Sequence, residues 1–382
     1  MNKLEKLISE LCPNGVEYKP IGELIVKAPK SSSGVGNIAL MNKGNIKAFT
    51  SGNKSFFVDK YLVDGEYIYM NDGGQADVKY GFGKAYYSDH VFAFTSNVMN
   101  VRFLFHYLLK ISDLINKDYF RGGGIKNLVK VDFMKIEIPV PPKEVQDEIV
   151  RILDNFTNLT AELTAELTAR KKQYDYYSEK FFSEIQSPIF KISDICSVYD
   201  GIHQTPKYKA FGIPFVSVEN IEDIYSTTKF ISTEDFAKYK VKPQKNDVFM
   251  TRITAGIIGK CFVIEKDIDI AYYVSLALLR PNINLILPKY LKLYIESGYG
   301  KKELDKYILH NATPPKINKD AIGMVMIKVP TLSEQRKIVS ILDSFYNNCN
   351  DIKDGLPLEI ELRQKQYEYY RDKLLNFKRL EV

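Results

Sequence analysis

The sequence is poor in the groups that hold metals or attack substrates: its 382 residues include four cysteines and four histidines. Cys12, Cys196, Cys261 and Cys349 have no paired spacing, which argues against a zinc site and predicts free thiols in a reducing compartment. His90, His106, His203 and His310 also lack the spacing of metal ligands. Long hydrophobic runs are missing too. The longest, Ile270 to Leu279, contains two tyrosines and a serine and is far shorter than the ~18 apolar residues needed to span a bilayer. Met1 to Glu10 carries no signal-peptide pattern, so the expectation is a soluble, cytoplasmic chain with no membrane partner.

Motifs for chemistry are equally scarce. Transfer of a methyl group to an adenine amine calls for a Gly-rich cofactor loop and an Asn/Asp-Pro-Pro-aromatic clamp. The nearest string, Thr313-Pro314-Pro315-Lys316, lacks both the amide or acid and the ring, and reads as a Pro-rich turn. Gly256-Ile257-Ile258-Gly259-Lys260-Cys261 is too short for a phosphate loop and has no final Ser or Thr for magnesium. Asp77-Val78-Lys79 is a fragment of a nuclease triad without its second carboxylate. Arg121-Gly122-Gly123-Gly124 reads either as a phosphate cradle of backbone amides or as a flexible loop. No cofactor or metal site is expected in this chain. A balance of 53 Lys plus Arg against 47 Asp plus Glu gives +6, a weak pointer to an anionic partner.

What the chain does have is a duplication. Ile149-Val150-Arg151-Ile152-Leu153-Asp154-Asn155-Phe156 returns as Ile338-Val339-Ser340-Ile341-Leu342-Asp343-Ser344-Phe345. Arg170-Lys171-Lys172-Gln173-Tyr174-Asp175-Tyr176-Tyr177 likewise returns as Arg363-Gln364-Lys365-Gln366-Tyr367-Glu368-Tyr369-Tyr370. In both copies apolar residues recur every three or four positions: Ile149, Leu153, Phe156, Leu159 and Leu163 in the first, Ile338, Leu342, Phe345, Cys349 and Ile352 in the second. That spacing predicts two long amphipathic helices. Two narrow stripes in one chain bury each other most economically as an antiparallel coiled coil, a rod about 60 Å long rather than a globular core. The first helix contains a tandem Thr-Ala-Glu-Leu unit between Thr160 and Ala169. The second starts at a Thr331-Leu332-Ser333-Glu334 capping box and should kink or break at Gly355-Leu356-Pro357.

Each helix follows a mixed segment of short apolar runs and Gly, Asn, Asp and Lys clusters. Tyr67-Ile68-Tyr69-Met70, before Asn71-Asp72-Gly73-Gly74, and Lys84-Ala85-Tyr86-Tyr87, after Gly81-Phe82-Gly83, read as strands around a loop. A helix is expected over Val101 to Leu114 and a last strand over Ile136 to Val140. Val248 to Arg252, Pro288 to Ile295 and Val325 to Val329 repeat that plan, with Gly83-Lys84 in the place of Gly259-Lys260. The fold class is therefore α+β: two similar mixed α/β globules, 1–142 and 187–330, each followed by a helix, 143–186 and 331–382.

The duplicated layout, the Glu-Gln-Arg-Lys-Ile-Val-Ser-Ile-Leu-Asp segment (Glu334 to Asp343) and Glu-Leu-Cys-Pro-Asn-Gly-Val-Glu-Tyr (Glu10 to Tyr18) resemble the specificity subunit of type I restriction-modification systems. The resemblance covers essentially the whole chain. It implies two target-recognition domains that each contact half of a bipartite, asymmetric site on double-stranded DNA, with helices that set the spacing and dock two methyltransferase subunits. Restriction subunits complete such a complex. S-adenosylmethionine, ATP and magnesium would then belong to the partners, and this chain would be non-catalytic.

A groove reader displays Lys and Arg for phosphates and Arg, Lys, Asn, Gln, Ser, Thr or His for base edges, on loops. In the first globule the loop candidates are Gln75, Lys79, Lys84, Arg121 and Lys126. In the second they are His203, Gln204, Lys207, Thr251, Arg252, Lys260, Asn311 and Lys316. Arg121 and Arg252 stand out, because a guanidinium can grip a guanine or a phosphate with two parallel bonds. His106, on a helix, reads as structural, and the tyrosine-rich tails as packing or protein-docking surfaces. The alternative from another class is a coiled-coil scaffold with two peptide-binding globules.

Overall fold

The computed structural model describes residues 3–52, 54–350 and 355–381, except for the side chains of 346–350; the stripe positions Cys349 and Ile352 therefore lie outside the described residues. The chain divides into two compact units, Met1–Thr164 with Glu359–Val382, and Ala165–Leu358. These boundaries cut through helices instead of falling at 142 or 186. The reason is that the ends of the helices are built into the globular cores.

In the first unit a six-stranded sheet runs in the order Val26–Lys27, Val91–Thr95, Val63–Asn71, Val78–Tyr87, Ile46–Phe49, Phe56–Val58. Side chains alternate across a strand. Ile68 and Met70 therefore enter a core shared with the helix Val101–Lys110, while Val63 and Tyr69 enter another with Phe49 and Tyr87. The first core also takes in Val145, Ile149 and Leu153, from the start of the central helix Lys143–Glu184, and Tyr367 and Leu375 from the C-terminal segment. The C-terminal helix Leu356–Leu374 leads into a tail that joins the unit through a single parallel bridge between Arg379 and Val16. There the Val16 amide donates to the Lys378 carbonyl (2.9 Å), and the Leu380 amide donates to the Val16 carbonyl (2.9 Å). Gly15, at φ +105°, permits this approach; a Cβ there would stand 2.6 Å from the Lys378 oxygen.

The second unit repeats the plan. Cys196–Asp200, Leu276–Pro281, Val248–Thr251 and Cys261–Val263 form a four-stranded sheet in the same spatial order as the strands from Val26–Lys27 to Val78–Tyr87. A two-stranded ribbon of Ile189–Lys191 with Met326–Lys328 matches one of Glu17–Pro20 with Glu137–Val140. Phe182, at the end of the central helix, is fully buried with its ring edge-on to Tyr290 and Tyr294. Ile338 and Leu342 of the helix Leu332–Asn350 lie in the same core.

The helices pair as the repeat predicts. Phe156 stacks on Tyr370 in the first unit (5.3 Å between ring centroids), and Tyr177 stacks on Phe345 in the second (5.6 Å). The capping box forms: Glu334 accepts from the Thr331 amide (3.0 Å) and hydroxyl (2.7 Å), and the Glu334 amide donates to the Thr331 hydroxyl (3.3 Å). One helix ends at Asn350 and the next starts at Leu356, with Pro357 in its first turn, where a missing amide proton costs nothing.

Three expectations need correction. Gly81-Phe82-Gly83 is not a loop but lies inside the strand Val78–Tyr87, where Gly65 faces Gly83 and Asp64 faces Lys84; the turn is at 72–77. Gly83-Lys84 accordingly does not occupy the place of Gly259-Lys260, which follows the second unit's turn directly and lies beside Thr251. The stripes do not bury only one another either, because their outer ends face sheets and short helices. Spacing defines an apolar face, not its partner.

A buried glutamine joins helix to globule in both units. The Gln146 carboxamide accepts from the Asn100 amide (2.8 Å) and donates to the Pro141 carbonyl (2.7 Å). Gln335 accepts from the Leu287 amide (2.8 Å) and donates to Pro330 (2.8 Å) and Leu285 (2.9 Å). This match aligns the helices Val101–Lys110 and Pro288–Glu296, and the ion pair Arg102 with Asp154 (2.8 Å) then corresponds to Lys289 with Asp343 (3.4 Å). Four positions further along, His106 of the first unit corresponds to Leu293 of the second.

Candidate nucleic-acid interface

In each unit the turn that follows the central strand is clasped to a second loop by the same main-chain contacts. In the first unit the Leu128 amide donates to the Asp72 carbonyl (2.9 Å), the Gly74 amide donates to the Lys126 carbonyl (2.7 Å), and Gly73 pairs with Asn127. In the second unit the Ile317 amide donates to the Arg252 carbonyl (2.9 Å), the Thr254 amide donates to the Pro315 carbonyl (3.1 Å), and Ile253 pairs with Lys316. Two turns distant in sequence are thus held side by side in each unit. The second loop is itself a hairpin, Phe120 facing Leu128 in one case and Leu309 bridging Lys316 in the other.

The clasp gathers part of the predicted set in the first unit. Gln75 and Lys126 are exposed and line one cleft of about 610 Å³, together with Asn116, Lys117 and Ile125. Asn116 fixes the turn by accepting from the Ala76 amide (2.6 Å). Arg121 is exposed at the base of the hairpin, where it bonds to Asp132 (3.2 Å) and to the Asp118 carbonyl (3.2 Å). Lys79 is tied down by Asp77 (2.7 Å) and the Thr50 carbonyl (2.7 Å), on the wall of a separate cleft that also holds Lys47 and Lys54. Lys84 is not brought to the clasp: it pairs opposite Asp64, several residues along the strand from the turn, with its ammonium 4.8 Å from the centre of the Tyr61 ring.

In the second unit His203, Gln204 and Lys207 are exposed on the loop after Asp200. That loop reaches the clasp through Ser275, whose carbonyl accepts from the Arg252 amide (3.0 Å), and through the Val274 amide donating to Ile202 (3.0 Å). Asn311 is exposed at the tip of the second loop and Lys316 is half-buried at its base. Two residues proposed for DNA contact are turned inwards. Thr251 is buried, its hydroxyl donating to the Ile257 carbonyl (2.7 Å) and accepting from the Lys260 amide (2.9 Å). Arg252 is 6% exposed and its guanidinium pairs with Asp200, so in this conformation it braces the loops instead of presenting a free fork. Lys260 pairs with Glu222 beside a cleft of about 680 Å³.

Arg252 and Asp72 occupy equivalent places, since the carbonyl of each closes its clasp. The charge is reversed between them and neutralised in both. Asp72 pairs with Lys130 (2.8 Å) and lies 3.4 Å from His90, as Arg252 pairs with Asp200. The sequence reading missed Asn116, Lys117 and Ile125. It ended the helix at Leu114, whereas a wide helical turn over Ile115–Tyr119 carries the chain on to the cleft. Cys12, Cys196 and Cys261 are free and buried. Among the described residues no cluster of three or more His, Cys, Asp or Glu is arranged to hold a metal ion, and no helix is long and apolar enough to cross a membrane.

The model of the type I restriction modification DNA specificity domain matches this chain twice, over residues 13–170 and 186–362. A putative type I restriction enzyme specificity subunit of Haemophilus influenzae is 32% identical over 400 residues, with 98% of each chain covered. A type I restriction enzyme specificity subunit of Escherichia coli is 35% identical over 266 residues, covering 65% of this chain and 64% of that one. Among solved structures, the S subunit of a type I restriction-modification system from M. genitalium has the same fold, with a TM-score of 0.64 at 16% identity over 94% of this chain and 96% of that one. A family model that matches both halves and a relative similar from end to end carry one conclusion: this chain belongs to the family of type I restriction-modification specificity subunits.

Proposed function

We propose that the chain selects the DNA sequence on which a type I restriction-modification complex acts. Each unit reads one half of a bipartite, asymmetric site on double-stranded DNA through its clasped loops. The paired helices set the interval between the halves and carry two methyltransferase subunits, which restriction subunits join in the full complex. The chain does no chemistry itself. S-adenosylmethionine serves the methyltransferase partners, and ATP and magnesium serve the restriction partners. The assembly works in the cytoplasm, where it meets chromosomal DNA.

The observation that carries this reading is the duplicated clasp, which presents two sets of polar and cationic loop residues on one backbone design. Phosphate contacts give affinity and base-edge contacts give selection. Gln75, with a donor and an acceptor on one amide, suits adenine, and Lys126 suits guanine or phosphate. Methylome sequencing of cells that carry the double variant Gln75→Ala, Lys126→Ala tests the assignment. The expected result is relaxed or lost methylation that depends on the bases of one half-site, with the other half still required. An unchanged methylation pattern overturns it, as does a variant that folds and assembles yet loses both halves equally.

A further inference from the structure

Ile125 is 77% exposed at the far end of the loop that begins Arg121-Gly122-Gly123-Gly124. A lone exposed isoleucine is ordinary on a protein surface. This one differs in its setting. Added Cβ atoms at Gly123 and Gly124 would meet nothing within 4 Å, so the loop stands clear of the body of the unit. Its base is nevertheless fixed, by the pairing of Arg121 with Asn127 and by the bond from the Gly74 amide to Lys126. The side chain lines the same cleft as Gln75, Asn116, Lys117 and Lys126, with Asp113 also on its wall, an apolar group among amides, two ammonium groups and one carboxylate.

We infer that Ile125 is a specificity-determining residue which packs against the 5-methyl group of a thymine in the major groove. The inference rests on the DNA-reading function proposed above and deepens it. In that groove the amides and cations have hydrogen-bonding partners on base edges and phosphates, and the thymine methyl is the apolar feature of the base edges. Gln75 beside Ile125 fits a step in which an adenine edge and a thymine methyl adjoin. The second unit also exposes an isoleucine at its clasp, though on the other of the two turns: Ile257, 61% exposed between Arg252 and Lys260.

The chemistry can be tested without altering the protein. The chain, assembled with its methyltransferase partner, is titrated with duplexes that carry the site found by methylome sequencing. In the half-site assigned to the first unit, each thymine is replaced in turn by deoxyuridine, which removes only the methyl group. One replacement should weaken wild-type binding about fourfold, the worth of one buried methyl-sized group, and Ile125→Ala should bind the two duplexes equally. Because the side chain is exposed, this variant should melt with the wild type, which a thermal scan checks. Wild-type indifference to every replacement, a half-site without thymine, or an undiminished deoxyuridine penalty in Ile125→Ala each overturn the role of Ile125 while leaving selective binding intact. Binding with no sequence preference at all would instead remove the DNA-reading function on which the inference stands.

Discussion

His106 and Tyr367, far apart in the sequence, meet inside the first unit with the imidazole Nδ1 2.9 Å from the phenol oxygen. The other ring nitrogen lies 2.8 Å from Asp154, which also accepts from Arg102 at 2.8 Å. Asp154 fixes the tautomer: Nε2 donates to the carboxylate, and Nδ1 accepts from the tyrosine. Burial outweighs the attraction of Asp154 and holds the His106 pKa below its ordinary value, while burial pushes the Tyr367 phenol up to about 12. A neutral histidine thus fastens the C-terminal helix to the globule.

Tyr367→Phe should keep the packing and remove one bond, leaving a buried imidazole nitrogen without a donor. The expected cost is about 1–2 kcal/mol in chemical denaturation. A variant as stable as the wild type would show that the contact does not hold the helix.

Acid should loosen the same junction. Because the folded pKa of His106 is depressed, the unfolded chain takes up the proton first as pH falls. The stabilisation is complete above the unfolded value of 6.5 and is lost as pH falls from there through the folded value. Asp154, also held below its ordinary value by hydrogen bonds from His106 and Arg102 that outweigh its burial, works in the same direction at lower pH. Urea midpoints at pH 7.5 and 5.5 should differ for the wild type and less so for His106→Leu, which copies Leu293. Identical differences would assign the acid sensitivity to other groups.

Gln335→Ala should destabilise the second unit by about 2–3 kcal/mol, because it removes the acceptor of the Leu287 amide and the donor of the buried Pro330 carbonyl and of the partly accessible Leu285 carbonyl. Gln146→Ala should act similarly on the first. Hydrogen exchange of the 287 and 100 amides would localise each loss, and unchanged protection there would count against the bridging role.

Arg252→Ala leaves Asp200 without its partner and should cost about 2–3 kcal/mol of stability. Any change in DNA selection should accompany disorder of the clasp. A variant of wild-type stability that relaxes one half-site would instead mean that the guanidinium leaves Asp200 to reach DNA.

Inserting one Thr-Ala-Glu-Leu unit after Ala169 lengthens the central helix by about 6 Å. Methylome sequencing should then show both half-sites retained and their interval widened. Altered half-site bases at a constant interval would contradict a ruler.

The repeated helices were legible in the sequence because a 3.6-residue period over many turns is hard to mimic, and Thr331 with Glu334 marks a start that the backbone uses. The identity of Gln146 and Gln335 was visible too, but nothing local shows that either side chain is buried. Arg252 misled for a physical reason: a loop arginine looks the same whether its partner is a phosphate or an aspartate some fifty positions upstream. Loop-to-loop bonds such as Gly74 to Lys126 leave no residue-type signature, since they are made by groups that nearly every residue carries.

That indifference has a use. Since main-chain bonds clasp each pair of turns, and the bracing side chains Asn116, Asp72 and Arg252 lie elsewhere, the outward-pointing side chains at Gln75, Ile125 or Asn311 can be exchanged wholesale without unfastening their support. Libraries randomised at such tips should yield chains of wild-type stability with new sequence preferences.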